Sequence, residues 1–174
     1  MLDREKLDEI ILKNDVKDWW IPELFTQNTK PIFPSELDIL ADPPEKKKNH
    51  NCFAYALGFA EKLELIAETH GFDDLYFIKL LENNEVFKTR SPVTGDYVVY
   101  QDLEEYPNRL THIGIITEDK IISKWAWGPL VKHNLWDVPA SYGNNVFYVK
   151  AISFKRSLEL YNKYKDSLEP INPK

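Results

Sequence analysis

NHNCFAYALGFAEKLELIAETHG, residues 49–71, holds the only cysteine of the 174-residue chain, and the rest of the sequence is read outward from it. Asn49 or Asn51 can cap a helix, because an asparagine oxygen accepts from the N–H groups that a helix start leaves unpaired. Apolar residues then recur every three or four positions and Gly71 supplies a left-handed stop, so the spacing predicts one helix through most of the stretch. Cys52 falls at its beginning, just past the cap. Unpaired N–H groups and aligned peptide dipoles favour negative charge there, which stabilises a thiolate. With a cationic histidine nearby, such a position brings a cysteine pKa from about 8.5 into the range of roughly 3.5 to 7.5. A thiol of that kind is a nucleophile at neutral pH, and the same N–H groups can serve a developing oxyanion.

On the N-terminal side, Leu7, Ile10 and Ile11 stand at helical spacing and predict a short amphipathic helix over 3–13. Residues 19–44 carry Pro22, Pro31, Pro34, Pro43 and Pro44, which block helix interiors and central strands. They read as an extended arm pinned by Trp19, Trp20, Ile21, Leu24, Phe25, Ile32 and Phe33. On the C-terminal side a second helix is expected over 73–81, and Gly95-Asp96 turns into a strand over 97–100. Two further strands, 110–117 and 120–127, are joined by Glu118-Asp119, a connection short enough to require antiparallel pairing. Another strand covers 145–154 and a last helix 156–164, with a loose tail after it. These elements predict a single α+β domain: helix and arm over 1–48, a core over 49–154, a helix and tail over 155–174.

A nucleophile at Cys52 needs a base, and His112 opens the strand-like run His112-Ile113-Gly114-Ile115-Ile116. Gly114 beside it leaves room for a facing element or a substrate backbone. The imidazole would take the thiol proton and later return it to the leaving group. The next strand should face His112 across the hairpin. Ser123 and Lys124 lie there on opposite faces, so only one of them can point at the site.

NCFAYALG at 51–58, GDYVVY at 95–100, HIGII at 112–116, SKWAWGPLVKH at 123–133 and WDVPASYG at 136–143 together resemble the papain-like cysteine hydrolases of the NlpC and CHAP kind and allied bacterial proteins. The resemblance spans about residues 49–154. It implies a papain-like core in which a cysteine-bearing helix packs on an antiparallel sheet, with the base histidine on the second core strand and a polar residue on the third orienting it. It also implies hydrolysis or transfer at an amide or related acyl bond of a peptide, protein or small amide. The third position is commonly His, Asn, Gln or Asp, whereas this strand offers Ser123 or Lys124. Lysine would repel an imidazolium, which leaves Ser123, with His133 as an alternative if its loop folds back. Asn51 and the Cys52 N–H are the oxyanion candidates, and His50, Lys124, Trp125 and His133 are placed around the cleft. A catalytically silent scaffold of the same fold, acting as a protein-binding or immunity-type module, is the competing expectation.

The remaining composition narrows the field. Net charge is -6, the wrong sign for a chain that binds by neutralising phosphates. The single basic run, 46–48, reads as a solvated loop. One cysteine permits no internal disulfide, the charged start lacks a secretory signal, and no apolar run approaches the roughly 20 residues of a membrane span. The expectation is a cytoplasmic protein without cofactor. His50 and Cys52, even with His70 or His133, lack the recurrent four-ligand spacing of a zinc site, and His70 reads as a helix-end cation. Trp125, Trp127, Trp136 and Tyr142 read first as sheet packing.

Overall fold

The protein's structure, a computed structural model, describes residues 2–12, 21–45, 48, 50–65 and 73–167. Its centre is β3 (Tyr97–Gln101), an apolar and aromatic run buried on both sides. Side chains of a strand alternate between faces, so Tyr97 and Val99 enter one apolar layer and Val98 and Tyr100 the other. Around it lie β1 (Asp38–Ala41), β2 (Lys88–Thr89), β4 (His112–Ile116), β5 (Ile121–Lys124), β6 (Leu130–His133) and β7 (Asn145–Val149). They form one seven-stranded antiparallel sheet in the order β1-β6-β5-β4-β3-β7-β2. The helices are α1 (Arg4–Leu12), α2 (Pro22–Leu24), α3 (Cys52–Ala56), α4 (Asp74–Glu82) and α5 (Phe154–Tyr164). The chain is thus of mixed α+β class.

The helix expected over 49–71 is much shorter. α3 has five residues, because Gly58 rather than Gly71 ends it. Gly58 adopts φ 85°, its N–H donates to Tyr55 O at 3.0 Å, and the Phe59 N–H reaches back to Ala54 O at 2.9 Å. That paired closure is the Schellman stop, which glycine adopts without steric cost. A 3-10 turn, Leu63–Leu65, follows, and 66–72 with His70 lie outside the described residues. α4 and α5 do form, capped by Asp73 and Ser153, whose side chains accept from helix N–H groups.

The arm is less extended than expected. Pro22 starts α2 at a first-turn position, where its missing N–H costs nothing. A π-turn (Phe25–Thr29) and a 3-10 turn (Lys30–Ile32) continue it, and β1 then joins the sheet edge beside β6. Trp19 and Trp20 lie outside the described residues.

Two layers cover the sheet. α3, α4 and α5 pack on the face of Tyr97, Val99 and Ile113. Leu7 of α1, Phe25, Leu37 and Tyr142 pack on the face of Val98, Tyr100, Trp125 and Val131.

Gly143, after Tyr142, has φ 91° and ψ 178°, a region open to glycine almost alone. A Cβ there would lie 2.3 Å from Gln101 O, whereas one on Gly95, at φ 96°, meets nothing within 4 Å. Chemical denaturation should therefore show Gly143→Ala costing about 1 to 3 kcal/mol more than Gly95→Ala, since only the first adds overpacking to backbone strain. Equal costs would contradict the packing described.

Candidate functional site

Cys52 sits where the sheet opens. β4 pairs with β5 only through Ile115↔Ile122 and Ile116↔Ile121. Ile116 N donates across to Asp96 O at 2.9 Å, so by alternation Ile113 and Ile115 turn their N–H groups to the β5 side. Past Ile115 that side has no strand partner among the described residues, and the start of α3 packs there. Asn51 caps α3 as expected, its Oδ1 accepting from Ala54 N at 2.9 Å. The backbone N–H groups of Ile113, Phe53 and Cys52 itself favour negative charge on the Cys52 thiol.

Burial nevertheless dominates its ionisation. Cys52 is 5% exposed, and desolvation pushes the thiol up to about 12, although the three N–H groups and the charge of Lys124 pull the other way. The thiolate expected from the helix start is not the resting form. A five-residue helix contributes little dipole, and a charge in an apolar layer loses its hydration.

The group that answers the thiol electrically is Lys124. It lies on the same sheet face as Ile113, is 2% exposed, and donates from Nζ to Gly128 O in the turn after β5. Burial draws its ammonium down to about 7, opposed by Cys52. His50 completes this side: its Nδ1 lies 3.0 Å from Lys48 O, so it bonds locally, and its ring stacks on Tyr55. Burial holds His50 below its ordinary value, and Lys124 adds to the effect.

His112 lies on the other face. It pairs with Tyr100 across the ladder, and its ring stacks on Tyr142 with centroids 4.0 Å apart. It is fully buried, and among the described residues neither ring nitrogen has a hydrogen-bond partner, the Cys52 sulfur included. Burial, with His133 nearby, holds it well below the usual imidazole range. Ser123 does not orient it. Ser123 Oγ lies 2.8 Å from His133 Nε2, and His133 Nδ1 lies 2.8 Å from Asn134 O. A carbonyl only accepts, so Nδ1 carries the proton and the Ser123 hydroxyl donates to Nε2. Trp125 is fully buried between Phe33, His133 and Tyr142, in the core rather than at a cleft.

Sequence reasoning placed Lys124 around the cleft without a role toward the thiol and did not see the N–H of Ile113. Strand alternation carried the signal for the first, since Lys124 and Ile113 fall on the face opposite His112. The second depends on where a ladder stops. Among the described residues, no group of three or more His, Cys, Asp or Glu could hold a metal ion, and no helix is long and apolar enough to cross a membrane.

The fold and site define an α+β domain with a buried thiol and a buried amine on one face of its sheet. Residues 43–150 match the family described as a domain of unknown function, DUF7689, and the chain belongs to that family. No curated protein and no solved structure matches.

His133 supplies a pH test. Burial takes its pKa from 6.5 to about 4, so the folded state binds this proton less tightly than the unfolded chain does. Its contribution is complete above pH 6.5 and is lost as pH falls toward 4, a change of about 3 kcal/mol, with His112 acting in the same sense. Urea unfolding across that window should show the loss, reduced in His133→Gln. A midpoint constant through the window would refute the burial of these rings.

Proposed function

We propose that the protein is a thiol-dependent hydrolase or acyl transferase that acts on an amide or related acyl bond through a Cys52 thioester. The observation that carries the reading is the Cys52 thiol at the start of α3, buried on the same sheet face as the amine of Lys124. Buried polar groups cost stability, and perturbed ionisable groups gather at functional sites. Here His50, Cys52, His112, Ser123, Lys124 and His133 are all buried.

Two groups could take the thiol proton. Lys124 is buried on the sheet face of Cys52 with its ammonium drawn down to about 7, whereas His112 lies on the opposite face with its ring beneath Tyr142. We assign the role to Lys124, with His112 the second choice. The neutral amine removes the proton, the thiolate attacks the carbonyl, and the ammonium returns the proton to the leaving amine. Water then cleaves the thioester to a carboxylic acid and free thiol, or an acceptor amine or alcohol takes the acyl group. A cytoplasmic peptide, protein or small amide fits this chemistry. The resemblance to papain-like hydrolases supports the same reaction class.

A second reading, a catalytically silent scaffold serving as a binding module, is favoured by one specific observation: the resting thiol is pushed up to about 12. Turnover on a panel of peptidyl coumarin amides separates the two. The enzyme reading expects hydrolysis abolished by Cys52→Ala and lowered about a hundredfold or more by Lys124→Met, with the folds intact. Full activity in Cys52→Ala, or a native thiol that iodoacetamide reaches only after denaturation, would rule it out.

A further inference from the structure

The far edge of the sheet carries an unfilled strand position. β2 pairs with β7 only through Lys88↔Val149 and Thr89↔Tyr148, while β7 runs from Asn145 and pairs with β3 along its whole length. Local hydrogen bonds explain why β2 leaves so early. Ser91 N turns back to Thr89 Oγ1 at 3.2 Å, and Ser91 O accepts from Lys150 Nζ at 3.4 Å. Lys150 is itself held by Asp96, which also accepts from Val93 N and Ala151 N.

The backbone groups exposed by this departure can be named. Lys150 N donates outward to Phe87 O at 2.9 Å, so by alternation Tyr148 and Val146 also direct N–H and C=O outward. Tyr148 faces Thr89. Val146 has no strand opposite it among the described residues.

A cavity of about 540 Å³ lies at this position, lined by Lys88, Thr89, Arg90, Val146, Phe147 and Tyr148. Its lining holds two cations and no carboxylate, on a chain of net charge -6. Lys88 Nζ sits 4.1 Å from the centroid of the Phe147 ring, which places a cation on the Phe147 side of the strand. Phe87 and Val93, at the two ends of the β2 departure, are 61% and 59% exposed.

We propose that this edge binds an extended acidic segment of a partner protein as an added strand beside β7. Main-chain bonds to Val146 would supply register, and alternate side chains would read the two faces. Carboxylates would stand on the Phe147 side, facing Lys88 and Arg90, and apolar side chains on the side of Val146 and Tyr148. A second copy of this chain fits poorly, because two-fold pairing of β7 edges would set Lys88 and Arg90 against their equivalents.

The test uses the full chain and a fluorescein-labelled acetyl hexapeptide alternating valine and glutamate, with its valine–lysine counterpart as control. Anisotropy should report saturable binding of the glutamate peptide only, weakening as salt rises. Arg90→Glu, on an exposed residue, should weaken it at least about tenfold. Val146→Pro removes the outward donor without touching the ladder to β3, and should weaken binding with unchanged circular dichroism. No saturable binding, equal binding of both peptides, affinity unchanged in Arg90→Glu, or a dimer in sedimentation that Val146→Pro dissolves would each overturn the proposal.

Discussion

A sheet need not pair along its whole length, and this one stops between β4 and β5 just where the chain places its only cysteine. The gap leaves the N–H of Ile113 without a strand partner, and an orphaned amide in an apolar layer is costly. The start of α3 answers that need by bringing the Cys52 thiol to it. Packing follows from the same arrangement. Phe53, Ala54 and Leu57 must sit against Val99 and Ile113 for the sulfur to reach its place, and the close turn at Gly58 keeps α3 short enough to do so.

The opposite face is governed by a second requirement, the covering of His112, Ser123 and His133. The first residues of the chain do much of this. Leu2 N donates to Asp137 Oδ1 at 2.8 Å, Arg4 binds the carbonyls of Val138, Pro139 and Gly143, and Asp8 accepts from Ser141. These contacts tie α1 to the loop that carries Tyr142, whose carbonyl accepts from Thr111 Oγ1 at 2.5 Å. The ring over His112 is thereby held from both flanks. Residues 2–41 lie outside the stretch that matches the family, so this part of the cover is built by sequence beyond it.

Much of this was legible in the residues. Aromatic and β-branched content located β3, β4, β5 and β7, and helices were expected over 73–81 and 156–164, close to where α4 and α5 form. α3 was overextended because its apolar spacing continues past Gly58, and spacing alone cannot say which glycine closes a helix. β1, β2 and β6 were missed for different reasons. β2 is two residues long, β1 follows a proline-rich run, and β6 hides in the aromatic turn after Lys124. The pairing of Ser123 with His133 required the register of β5 on β6, which puts Ser123 opposite Val131 and His133 opposite Ile121 on one face. The neutral resting thiol followed from burial, which a sequence does not display.

The burial of the Lys124 amine on the sheet face that carries Cys52 is what the account rests on, and the lysine side chain reports it directly. Carbon-detected NMR of the Lys124 Cε through a pH titration should give a midpoint near 7, because burial disfavours the ammonium. A midpoint at the ordinary 10.5 would mean that the amine is not buried, and the account would fail.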